Sequence, residues 1–145
     1  MQARRATARA AFSLIELTIV VTIIALIAAI AVRRLSRHTE QASASALATN
    51  LSVLQLAIER YRAEHGALPS ESDVANQLTK YTDMNGVVSK APGAPYLYGP
   101  YLRKIPPVPS GPAAGRTGIG PAPAADVGWL YTASTGDIAV NDSGK

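Results

Sequence analysis

Residues 14–32, "LIELTIVVTIIALIAAIAV", form an almost unbroken apolar run, and no other feature limits so strongly what this chain can fold into. About 20 apolar residues match the hydrocarbon thickness of a bilayer, whereas the apolar part of a cleaved secretory signal takes roughly 7 to 15. The run follows "MQARRATARAA", which is basic, free of acids and rich in small residues, and it ends in "RRLSR" without a small-residue cleavage site. The pattern predicts a membrane-spanning helix over residues 12–35. It carries one charge, Glu16. A charged side chain near the centre of a membrane helix costs about 2.5 to 3.5 kcal/mol on insertion scales, so one that persists has a partner. No cation lies inside the run, and the partner must come from outside it. A cut between Ala11 and Phe12 would create an α-amino group at the depth of Glu16. Pairing within one subunit would be strained, whereas pairing between helices staggered by about a turn would not.

"RAAFSLIELTIVVTIIALIAAIAV", residues 9–32, resembles the prepilin class III signal of type IV pilins and type II secretion pseudopilins: a short basic leader, a small residue, Phe, then Ser-Leu-Ile-Glu and an apolar helix. The resemblance implies that a membrane aspartyl prepilin peptidase cuts after Ala11 and N-methylates Phe12. It also implies that Glu16 meets the N-terminus of an adjacent subunit during filament assembly. The implied fold is α+β and pilin-like. A long N-terminal helix, first transmembrane and then amphipathic, packs on a small C-terminal antiparallel sheet. Two positions depart from the family pattern: Ala11 stands where Gly is usual, and Arg33 stands where pilin helices commonly carry a kinking Pro.

The charge agrees with a membrane segment. The chain has 14 Lys and Arg against 10 Asp and Glu, a net +4. Arg4, Arg5 and Arg9 precede the apolar run, and Arg33, Arg34 and Arg37 follow it, so the excess flanks a helix and does not form a nucleic-acid surface. There is no cysteine, which excludes disulfides, thiolate metal sites and cysteine nucleophiles. His38 and His65 are far apart without metal-ligand spacing and read as solvated. No Ser/His/Asp grouping, phosphate loop or pair of carboxylates at catalytic spacing is present, and no enzyme activity is expected.

Beyond residue 36, Leu47, Leu51, Leu54, Ile58 and Tyr61 recur at steps of three and four, an apolar stripe on an amphipathic helix. No Pro or Gly interrupts the chain between Ile15 and Gly66. The two helical patterns therefore join into one helix of roughly 50 residues, about 75 Å long, which Gly66 and Pro69 stop. The run Tyr61, Gly66, Pro69 is also similar to the end of this helix in pseudopilins. "SESDVANQLTKYT", from Ser70, predicts a short helix capped through Ser-x-x-Asp. "DMNG", residues 83–86, reads as a turn. "GAPYLYGPYLRKIPPVP", residues 93–109, resembles the Gly-Pro-Tyr-Leu-x-x-Ile-Pro segment of pseudopilin-like proteins. Its Tyr96, Tyr98 and Tyr101 read as packing on the long helix. Residues 106–126 read as irregular loop, and "VGWLYTASTGDIAVN" as a β-hairpin turning at 134–137 with Trp129, Tyr131, Ile138 and Val140 on one face. The tail reads as frayed.

The domain expectation is thus a leader over 1–11, a transmembrane and assembly half over 12–35, and a periplasmic globular domain over 36–145. No resident cofactor is expected. In secretion pseudopilins a loop near residues 106–126 binds calcium through carboxylates and carbonyls. Calcium takes six to eight oxygens, and Asp126, Asp137 and Asp142 are the carboxylates this chain has for it. The expected partners are further copies in a filament, other pseudopilins, the prepilin peptidase and an inner-membrane assembly platform, at a single-pass bacterial inner-membrane location with the assembled pseudopilus in the periplasm. The alternative from another class is a bitopic, membrane-anchored binding protein that does not polymerise.

Overall fold

The structure, a computed structural model, describes residues 13–143, and the side chains of residues 31–38 lie outside that description. The chain is α+β. Helix α1 spans Leu14–His65, 52 residues, and is helical at Arg33 as elsewhere. The chain divides into two compact units, Met1–Glu40 and Gln41–Lys145.

In the first unit, α1 carries apolar side chains on every side, and all its large apolar residues from Leu14 to Ile30 are exposed. Among the described residues of this unit none is buried.

The second unit has a core, and the sequence stripe builds one wall of it. Leu54, Ala57, Ile58 and Tyr61 are buried, with Leu47 and Leu51 packed against them. The helix ends as the glycine predicts. Gly66 adopts φ +71°, a left-handed value that costs glycine little, and its N–H donates to the Arg62 carbonyl at 2.9 Å. Helix α2, Val74–Thr79, adds Val74 and Leu78 to the core. Its start differs from the sequence expectation: Asp73 is the N-cap residue and makes no side-chain cap bond. The side chain of Gln77 reaches back instead, accepting the Ser70 N–H at 2.8 Å and donating to the Gly86 carbonyl at 2.9 Å.

Strands β1, Tyr81–Thr82, and β2, Val88–Ser89, form a two-stranded antiparallel pair across the turn at 83–86. The Asp83 carboxylate accepts the N–H groups of Asn85 and Val87 there. A second sheet runs β3-β4-β5, with β3 at Gly118–Gly120, β4 at Val127–Thr132 and β5 at Asp137–Val140. Strands β4 and β5 form the expected hairpin, pairing Trp129 with Val140 and Tyr131 with Ile138. Trp129 and Tyr131 are fully buried, and each finds a partner for its polar end. The indole N–H donates to the Pro106 carbonyl at 2.8 Å and the phenol to the Pro69 carbonyl at 3.0 Å.

Three expectations are corrected here. The sheet is mixed, because β3 pairs parallel with β4, and the supposedly irregular stretch 106–126 therefore contributes a strand. Parallel neighbours usually need a long crossover. This strand has only three residues, about 10 Å to retrace, and the connection over 121–126 can reach roughly 20 Å. Glycine makes the approach feasible: a Cβ on Gly118 would run into the Asp126 carbonyl. The tail is also held further than expected. Buried Asn141 donates to the Val127 carbonyl at 2.8 Å, and its side-chain oxygen accepts both the N–H and the hydroxyl of Ser143.

Candidate functional site

The first candidate is the apolar stretch of α1. Eleven large apolar side chains between Leu14 and Ile30 are exposed, from 44 % at Val20 to 83 % at Leu14. Burying a Val, Leu or Ile side chain is worth about 1.5–3 kcal/mol, so leaving this surface in water costs on the order of 20 kcal/mol. A helix that is apolar all round is a buried helix or a membrane helix.

The polar groups on the stretch divide into two kinds. Thr18 donates its hydroxyl to the Leu14 carbonyl at 2.8 Å, and Thr22 donates to the Thr18 carbonyl at 2.7 Å, so both hydroxyls are satisfied by their own helix backbone. Glu16 differs: it is exposed in the first turn and has no partner among the described residues. Ser13 and Glu16 have the spacing of a reciprocal capping pair, but only the backbone bond from Leu17 N–H to the Ser13 carbonyl, 3.2 Å, is made. The carboxylate therefore remains available to a group from outside its own helix, at the end where the helix dipole favours negative charge.

Ala11 and Phe12 lie outside the described residues. Among the described residues no helix is long and apolar enough to cross a membrane. The apolar stretch with described side chains stops at Ile30, short of the roughly 20 residues a bilayer takes, and the expected span 12–35 extends beyond it at both ends.

The second candidate is a knot of aromatic rings at the far end of α1, which sequence reasoning missed. His65, expected to be solvated, is half-buried. Its ring stacks on Tyr61, centroids 3.9 Å apart and planes 3° apart, and lies 4.9 Å from the Tyr98 ring. Its Nδ1 stands 3.0 Å from the Tyr61 carbonyl, and its Nε2 stands 3.0 Å from the Thr82 hydroxyl and 3.1 Å from the Asp83 carbonyl. Tyr101 crosses the Tyr61 ring edge-on at 5.7 Å and donates its phenol to Glu64 at 2.6 Å. Burial first, and then that hydrogen bond, raise the Tyr101 phenol well above its ordinary value. Tyr131 is pushed up to about 12, by burial and then by the charge of Glu71. A lone histidine carries no periodic signal, and its partners come from residues 82, 98 and 101. The knot is a fully engaged packing junction. The expected packing of Tyr98 and Tyr101 at the long helix is seen in it. Tyr96 is half-buried, its N–H bonded to the Gly93 carbonyl.

No family model, no curated protein and no solved structure matches the chain.

The three aspartates considered for calcium do not converge. Asp126 precedes β4 and Asp142 follows β5 at one end of the hairpin, whereas Asp137, paired with Thr132, stands at the other. Five residues of strand separate Thr132 from Val127, roughly 17 Å. Among the described residues no group of three or more His, Cys, Asp or Glu side chains could hold a metal ion. One calcium ion therefore cannot draw on all three.

Proposed function

We propose that this chain is a structural subunit of a pilus-like filament of the type II secretion pseudopilus or type IV pilus kind. It is made as an inner-membrane precursor, cut between Ala11 and Phe12, N-methylated on Phe12 and polymerised through α1 to support protein secretion. The observation that carries the reading is the exposed, all-round apolar helix with one carboxylate, Glu16, in its first turn that has no partner among the described residues. Two environments suit such a surface in succession. Before assembly it is solvated by lipid, and the apolar run continues in the sequence through Val32 to a stop at Arg33 and Arg34. After assembly the same side chains bury against equivalent helices, and Glu16 pairs with the new amine of a neighbour, fixing the stagger.

The packed unit supports the reading in a second way. It is small, its core is one helix face against a short sheet, and its aromatic knot is closed, features of a building block more than of a catalyst. The partners that follow are further copies, related subunits of the same filament, a prepilin peptidase and an assembly platform in the inner membrane, with the globular unit on the periplasmic side.

N-terminal sequencing of the chain expressed with and without a prepilin peptidase tests this. A mature chain starting at methylated Phe12, only when the peptidase is present, supports the filament subunit. An intact Met1, or a cut elsewhere, sinks it in favour of a tethered binding protein that stays in the membrane.

A further inference from the structure

We propose that the solvent side of α1 within the unit Gln41–Lys145 is a two-flanked contact surface for other copies of this chain, the flank bearing Arg60 on one copy seating against the flank bearing Glu59 on the next. This rests on the filament reading above and specifies a contact that the apolar stretch does not supply.

The helix turns its stripe inward and leaves a ridge outward. Val53 is 41 % and Leu56 55 % exposed, beside the small residues Thr49 and Ser52. A groove lies along each side of that ridge. One, about 480 Å³, runs between the helix and β5 and is lined by Leu51, Gln55, Glu59 and Ile138. The other, about 150 Å³, runs between the helix and the segment after the aromatic knot and is lined by Val53, Ala57, Arg60, Tyr101 and Leu102. Leu56 borders both. Exposed apolar ridges flanked by grooves are what a second helix packs into.

Charge selects the occupant. The β5 groove has a single ionisable lining residue, Glu59. The opposite groove has a single ionic lining residue, Arg60, and the chain leaving it continues into exposed Arg103 and Lys104. Glu59 and Arg60 have no hydrogen-bond or ion-pair partner among the described residues. Glu64, one turn beyond Arg60, is engaged by the Tyr101 phenol at 2.6 Å. The chain thus presents an apolar groove with an acid rim on one side and an apolar groove with a basic rim on the other, complementary to itself.

Consecutive helix residues point about 100° apart, so Glu59 and Arg60 lie on different flanks of the helix, with Leu56, which borders both grooves, between them.

The chain lacks cysteine, so single-cysteine variants of the full-length protein test the contact directly. Glu59→Cys and Arg60→Cys chains are expressed alone and together with a prepilin peptidase, then oxidised. Both side chains are exposed, so neither change disturbs the core. The proposal expects several-fold more disulfide-linked dimer from the mixture than from either variant alone. It also expects that Glu59→Lys and Arg60→Glu each lower filament yield, and that the doubly reversed chain recovers it. Filaments that form from correctly processed chains with no excess of mixed dimer overturn this contact and leave the filament reading standing. Same-site dimers as abundant as mixed ones also overturn it. Failure of processing at Phe12, followed in the same samples, removes the filament reading and this contact with it.

Discussion

Replacing Glu16 by Ala separates insertion from assembly. In a lone helix the carboxylate has no partner among the described residues, so its removal breaks nothing within the subunit. It lies in the first turn of α1, towards one end of the apolar stretch, and a charged group at the centre of a membrane helix costs about 2.5–3.5 kcal/mol. Alanine lightens that cost and leaves membrane insertion intact. Between copies the change acts the other way. A hydrogen bond to a charged group contributes about 1.5–3 kcal/mol, so losing the bond to a neighbour's amine weakens each subunit addition roughly 10- to 150-fold. Because growth multiplies that factor over successive subunits, filaments fall below detection while the membrane pool persists. The assay is a membrane fractionation and a sheared-filament blot of the same culture. Glu16→Gln should sit close to Ala, because it keeps the shape and loses the charge. Normal filament yield from Glu16→Ala would refute the pairing, and so would loss of the chain from the membrane fraction.

Four further outcomes follow from the packed unit. Ile58→Ala removes a fully buried side chain from the helix stripe and should cost about 2–5 kcal/mol in a denaturant titration of the detergent-solubilised chain. Asn141→Ala orphans the Val127 carbonyl and frees Ser143; a loss of about 1–3 kcal/mol is expected, with faster amide exchange over 141–143. Alkaline melting tests the tyrosines. The Tyr101 and Tyr131 phenols keep their protons to higher pH when folded, Tyr131 to about 12. The unfolded chain thus releases protons first, and stability, full below about pH 10, declines as pH rises toward 12, by at most about 1.4 kcal/mol per pH unit for each group. Calcium at millimolar concentration should leave the melting temperature unchanged, since the three candidate aspartates stand at opposite ends of the hairpin; a rise of several degrees would overturn that.

The elements that the sequence made legible are those with local, periodic causes. The apolar run and the stripe from Leu47 to Tyr61 joined into one helix because neither Pro nor Gly interrupts them, and Gly66 ended it with the expected left-handed turn. Alternation around Trp129 and Tyr131 announced the hairpin. What stayed hidden depends on contacts distant in sequence. Strand β3 is Gly-Ile-Gly, with one side chain to signal a face, and it exists because Gly118 lets the Asp126 carbonyl approach. The start of α2 went to Asp73 because Gln77, four residues on, took the Ser70 N–H that a local cap would have served. His65 looked solvated because nothing near it in sequence names Thr82 as its partner. At the candidate assembly site, the residue types of the apolar stretch were plain from the start. The structure added the two threonine hydroxyls bonded to their own helix backbone and a carboxylate with no partner among the described residues.

The proposed pairing of Glu16 with a neighbour's amine is open to covalent capture. Treating isolated filaments with a membrane-permeant carbodiimide, which condenses a carboxylate and an adjacent amine into an amide, and mapping the linked peptides by mass spectrometry reads it out. The account predicts a cross-linked dimer in which the amine of Phe12 in one copy is joined to the side chain of Glu16 in another. Filaments that cross-link only through other residues, with Phe12 and Glu16 both recovered free, would contradict it.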